Sequence, residues 1–195
     1  MNRKLLSALA LAAVLPALQG CVTAAAIGAG TVAVMAEDRR TTGTYVEDEN
    51  IEWKVLALVN DRYASAHVNG TSFNRRVLLT GQVPTEETKK ALGDAVKAIV
   101  PVTGVVNELA VAGNSSLTSR GSDSITTSNV KTRMVGNGKF SPSHVKVVTE
   151  DGVVYLMGIV TQAEGDAAVE IARSTSGVQR VVKAFEYIAE APKRN

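Results

Sequence analysis

Residues 144–160 read HVKVVTEDGVVYLMGIV, and the fold follows from this stretch. Two β-branched or apolar runs, Val145 to Val148 and Val153 to Leu156, flank Glu150-Asp151-Gly152, which signals a hairpin turn. An edited copy stands earlier, at residues 67–83: HVNGTSFNRRVLLTGQV. His144 falls on His67, Val145 on Val68, Val154 on Val77, Leu156 on Leu79, Gly158 on Gly81 and Val160 on Val83. The chain has only two histidines, and they fall on each other. The protein is therefore a tandem of one small module.

Working outward, each hairpin has the same neighbours. In module one, Ile51, Val55, Leu58 and Val59 recur at helical spacing and predict a helix over 50–60. After the hairpin, Thr85 is suited to cap a helix whose first turn carries Glu86 and Glu87. Ala91, Leu92, Ala95, Val96 and Ile99 give that helix one apolar stripe. Pro101 ends it, and 102–111 reads as a third strand. In module two, the first helix is predicted over 124–135, the second over 162–175, and the last strand from Val178 to Ile188. Gly177 stands where Pro101 stood, with Val181 on Val105 and Phe185 on Leu109. Each module is then α-β-β-α-β. The fold class is α+β: two three-stranded mixed sheets, each with two helices on one face.

Composition excludes several function classes. Lys and Arg number 21 against 19 Asp and Glu, and Arg3 and Lys4 account for the whole excess. A near-neutral mature chain is a poor general binder of nucleic acid, which needs a marked surplus of cations. One cysteine and two distant histidines exclude an intrachain disulfide and supply too few soft ligands for structural zinc. No Ser, Cys or Lys has a base or oxyanion motif near it, and no Gly-rich phosphate loop appears. Neither an enzymatic activity nor a cofactor is expected, and His67 and His144 read as structural or solvent-facing.

The N-terminus gives an address. Arg3 and Lys4 precede an apolar run, residues 5–15, and Leu18-Gln19-Gly20-Cys21 follows. Charged region, short apolar region and small residue before a cut describe a secretory leader. Cys21 after Leu-x-Gly resembles the lipobox of bacterial lipoproteins. That resemblance implies cleavage before Cys21 and a three-chain lipid anchor on it, where two chains already suffice for stable residence. Val22, in place of Asp, implies the outer membrane, periplasmic face. An uncleaved signal anchor is the competing reading. The expected organisation is a leader over 1–20, a lipidated tether over 21–46, module one over 47–111, a linker over 112–123, module two over 124–190 and a tail over 191–195.

Gly81 and Gly158 after an apolar strand, with a closing G-V-x-x-V, resemble the BON domain. Two such domains behind a lipobox resemble the dual-BON lipoproteins of Gram-negative outer membranes. The second copy matches better, because in the first Asn74-Arg75 replaces Asp151-Gly152 and Pro101 replaces Gly177. The resemblance implies binding of anionic phospholipid, support of outer-membrane integrity and association with the β-barrel assembly machinery.

An electrostatic asymmetry says which module meets lipid. From Ser124 to Thr149 there is no acid, yet Lys131, Arg133, Lys139 and Lys146 are present. Module one opens instead with Glu47-Asp48-Glu49 and Glu52. On a helical wheel Thr127, Val130 and Met134 form the core face of the first helix of module two. Ile125, Ser128, Asn129, Thr132 and Arg133 lie opposite. With Lys131, they are the expected phospholipid-binding residues, Cys21 the anchor site, and Gly81 and Gly158 structural positions. The alternative is a membrane-tethered adaptor whose domains dock envelope-assembly or division proteins.

Overall fold

The computed structural model describes residues 37–113 and 115–190. Cys21, the leader, most of the tether and the tail lie outside the described residues. Module one runs α1 (Thr42–Arg62), β1 (His67–Phe73), β2 (Arg76–Val83), α2 (Glu86–Lys97), β3 (Gly104–Asn107) and the two-residue β4 (Ala110–Val111). Module two runs α3 (Leu117–Val135), β5 (Val145–Glu150), β6 (Val153–Val160), α4 (Gln162–Arg173) and β7 (Arg180–Tyr187), with a 3₁₀ turn at Pro142–His144 before β5. The α+β class and the repeated order are as expected. In each sheet the hairpin is antiparallel, and the strand after the second helix returns parallel to the hairpin's second strand.

Two helix starts differ from the sequence reading. α1 begins at Thr42, with Thr41 as cap accepting from the Thr44 amide at 3.1 Å, rather than at residue 50. α3 begins at Leu117, capped by Ser116, rather than at 124. Residues 117–123, read as linker on their Ser, Thr and Gly content, are therefore helical. The cause is the same in both cases. The early turns bury polar residues, Thr44 and Asp48 in α1 and Asp123 and Thr126 in α3, so apolar periodicity does not mark them.

Those buried aspartates secure the hairpins. Asp48 accepts from the backbone amides of Asn74 and Arg75 at 2.8 and 2.7 Å and from the Ser72 hydroxyl at 2.7 Å. Asp123 accepts from the amides of Asp151 and Gly152, both at 2.9 Å. Both turns place two consecutive residues at positive φ: Asn74 and Arg75 at 52° and 63°, Asp151 and Gly152 at 47° and 72°. This is the turn whose twist suits a two-residue hairpin. Asn74-Arg75 thus makes the same turn as Asp151-Gly152, although Arg75 lacks glycine's freedom at that angle.

Helices and sheet enclose one core per module. Ile51, Val55, Val77, Leu79, Leu92 and Val96 fill the first, and Val130, Met134, Val154, Leu156, Ala168 and Ala172 the second. A Cβ at Gly81, which has φ +110°, would fall on the carbonyl oxygen of His67. One at Gly158 would fall on that of His144. The two glycines let each hairpin close over its first residue, in equivalent places.

The helix-free faces meet each other. Leu78 and Phe73 of module one pack with Tyr155, Met157 and Ala184 of module two in a third apolar cluster. β2 and β6 are therefore covered on both sides, and every residue of β2 after Arg76 is buried. Burial of each of these large side chains contributes roughly 1.5–3 kcal/mol. Polar contacts rim the seam: Lys146 to Glu52 at 2.7 Å, Gln82 to Asp151 at 2.6 Å, and Asn74 to Glu186 at 3.2 Å. Arg39 and Arg40 cross it. Arg39 holds Glu164 through two bonds, at 2.7 and 2.8 Å, while Arg40 holds Asp48 at 2.9 Å and lies over the Phe73 ring.

Candidate functional site

α3 turns Val130 and Met134 into the core of module two, which fixes what faces outward. Thr126, not Thr127, is the buried threonine of this face. Thr127 is half-buried and donates to the Thr149 hydroxyl at 2.7 Å. Ile125, Ser128, Asn129, Lys131, Thr132 and Arg133 are all exposed, and Ile125 is 65% accessible. At 100° per residue, Ile125, Ser128, Asn129 and Thr132 form one outward stripe along the helix axis.

Arg133 has a further role. Its guanidinium donates to the Thr175 hydroxyl at 2.7 Å, the Ser174 hydroxyl at 3.0 Å and the Ile171 carbonyl at 3.2 Å. It therefore caps the C-terminal end of α4, where a cation is favoured by the helix dipole. All three partners are neutral, so its charge stays uncompensated at the surface. Asn129, Thr132, Arg133, Thr175 and Ser176 line a shallow hollow of about 270 Å³. The Thr132 and Thr175 hydroxyls donate to the Ser128 and Ile171 carbonyls, which leaves the Asn129 amide and the Arg133 guanidinium as donors suited to an anionic headgroup.

Leu117 and Val135 were missed by the sequence reading. Both are exposed and stand within a quarter turn of Ile125, one at each end of α3. Only a helix drawn from residue 117 puts all three on one side. Along the same face Lys131 makes no hydrogen bond or ion pair among the described residues.

Both histidines stand beside carboxylates. His67 lies 3.6 Å from Glu150 and His144 3.7 Å from Glu164. Burial pushes the Glu164 carboxyl up, but hydrogen bonds from Arg39 and from the Thr161 backbone outweigh it and hold its pKa at about 2. Among the described residues no cluster of three or more His, Cys, Asp or Glu is placed to hold a metal ion. Nor is any of their helices long and apolar enough to cross a membrane.

Comparison with known proteins agrees with this architecture. The BON domain matches twice, over residues 47–113 and 122–189. The chain is 44% identical over 175 residues to the outer membrane lipoprotein DolP of Haemophilus influenzae, covering 88% of this chain and 90% of that protein. It is 32% identical to the 21 kDa hemolysin of Actinobacillus pleuropneumoniae, covering 77% and 79%. It is also 32% identical to the osmotically-inducible protein Y of Escherichia coli, covering 71% and 72%.

Proposed function

The chain belongs to the dual BON-domain family of outer-membrane lipoproteins, and from that premise we propose that its second module binds anionic phospholipid through α3. The protein acts without catalysis. It is held by lipid on Cys21, faces the periplasm and supports outer-membrane integrity. The same address puts its domains beside the β-barrel assembly machinery, the partner that the family resemblance implies.

The observation that carries the reading is the outward face of α3. Apolar Leu117, Ile125 and Val135 share it with Lys131, Ser128 and Thr132, and Arg133 brings a further charge to the hollow at its side. A helix of this kind lies in a headgroup layer with its apolar side chains down and its cations on the phosphates. Each cation near an anionic surface is worth roughly 1 kcal/mol.

Co-sedimentation of the mature chain bearing Cys21→Ala with phosphatidylglycerol vesicles tests it, because the anchor no longer masks binding by the domains. Lys131→Glu should weaken binding about thirtyfold at low salt, and the loss should shrink as salt shortens the Debye length. Ile125→Ser should weaken it roughly tenfold with little salt dependence, since the lost contribution is apolar burial. Folded variants that sediment like the parent would remove α3 from the membrane and leave the adaptor reading.

A further inference from the structure

A second surface lies on module one and owes nothing to α3. Trp53 is the only tryptophan of the chain, and it is 67% exposed. With Leu56 it forms one wall of a groove of about 430 Å³ between α1 and the edge strands β1 and β5. The opposite wall is Val68 to Thr71 of β1, and Val148 to Glu150 of β5 close one side.

Among the described residues β1 pairs only with β2, so half of its backbone groups point away from the sheet. Phe73↔Arg76 flanks the two-residue turn, and pairing alternates from there. Val68, Gly70 and Ser72 are thus the residues whose N–H and C=O face outward. Side chains block Ser72: Glu52 accepts its N–H at 2.8 Å and Lys146 donates to its C=O at 3.2 Å. Among the described residues no such contact covers Val68 or Gly70, and these two line the groove. An edge with free donors and acceptors is a template for another strand.

Charge selects the occupant. The groove carries Glu49, Glu52 and Glu150; Lys146 pairs with Glu52, while His67, Asn69 and Gln82 hold Glu150. Glu49 makes no hydrogen bond or ion pair among the described residues. The indole of Trp53 stands one turn along the helix from it, and an aromatic face beside a carboxylate favours a cation. The equivalent hollow of module two, beside β5, has Arg120, Asp123, Ser124 and Thr127 on its helix side and no aromatic.

We propose that this groove receives an extended, cationic segment of a partner protein as an added strand on β1, with an apolar side chain against Trp53 and a Lys or Arg on Glu49. Main-chain bonds supply affinity in such a mode, and alternate side chains supply specificity.

The sole tryptophan makes the test direct. The mature chain bearing Cys21→Ala is titrated with an acetylated octapeptide of alternating Lys and Leu while Trp53 emission is followed. A saturable blue shift is expected. The Glu–Leu counterpart should bind at least tenfold more weakly, as should a Lys–Leu peptide N-methylated at every second amide, which cannot pair as a strand. Glu49→Lys should weaken the parent peptide roughly tenfold with an unchanged melting temperature, since Glu49 holds nothing else. Equal binding of the N-methylated peptide overturns strand addition, and equal binding of the Glu–Leu peptide overturns the charge argument. No saturable response up to millimolar peptide overturns the site. An emission shift produced only by phosphatidylglycerol vesicles assigns the face to the bilayer and overturns it as well. Because α3 is untouched in every arm, failure here leaves the lipid-binding reading standing.

Discussion

The two modules share one fold, one hairpin turn and one glycine position, and differ in how firmly the turn is held. In module two the turn is Asp151-Gly152, and the buried Asp123 receives its two amides. In module one the turn is Asn74-Arg75, with a non-glycine residue at φ 63°. Asp48 there receives the same two amides plus the Ser72 hydroxyl and the Arg40 guanidinium. The less favourable turn sequence has the more heavily bonded carboxylate behind it. A strained local sequence is tolerated where the tertiary structure over-determines it.

The glycines probe what the modules share, and the effect there should be largest. Gly81→Val and Gly158→Val each drive a side chain into a backbone carbonyl oxygen, with no flexible neighbour to yield. Each should cost upward of about 4 kcal/mol, and Gly81→Val more, because its φ of +110° adds backbone strain. Chemical denaturation of both variants checks this. Wild-type stability in either would break the equivalence of the two hairpins.

The aspartates probe what the modules do not share. Asp48→Ala takes the acceptor from two turn amides and a hydroxyl and removes the ion pair with Arg40, and should cost about 3–5 kcal/mol. Asp123→Ala strands two amides and should cost about 2–3 kcal/mol. Equal losses would mean that Asp48's additional bonds contribute nothing, and the contrast drawn above would fall.

A pH titration of stability sharpens the contrast from the module-two side. Glu164 has its folded pKa lowered from 4.5 to about 2, so its charged form is favoured by folding. That stability is present above pH 4.5 and is lost as the pH falls from there towards 2. It is of the order of 3 kcal/mol. Arg39→Gln should flatten the stability profile in that window, and a profile that stays steep would show that Arg39 does not hold the carboxylate. The smallest effect is expected from Arg75→Gly. It relieves the positive φ at the expense of the exposed pair with Glu47, and should raise stability by up to about 1 kcal/mol in a thermal melt.

How much of this was legible in the residues depends on which face they occupy. The repeat, the Thr85 cap, the apolar stripe of α2 and both hairpins were readable because each rests on local pattern. The helix starts were not, because Asp48 sits in a run of acids that resembles a solvated surface and Asp123 in a Ser-rich stretch that resembles a linker. Both are buried by contacts with turns distant in sequence. The seam between the sheets left a trace that went unread. Val77-Leu78-Leu79 and Val154-Tyr155-Leu156-Met157 are continuous apolar runs, the mark of strands covered on both faces. On the outward face of α3, Ile125 and the hydroxyl stripe followed from the wheel, and Lys131 from the run without acids. The capping role of Arg133 depends on where α4 ends in space, which periodicity does not encode.

Arg39 and Arg40 are neighbours in the chain and diverge to opposite modules. One peptide link therefore works as a rivet through the seam. A pull arriving along the backbone from the N-terminal side reaches both domains at once and is resisted by two ion pairs in parallel. A protein moored at one end to a fluctuating surface gains from this that tension is shared between its halves before either one begins to open.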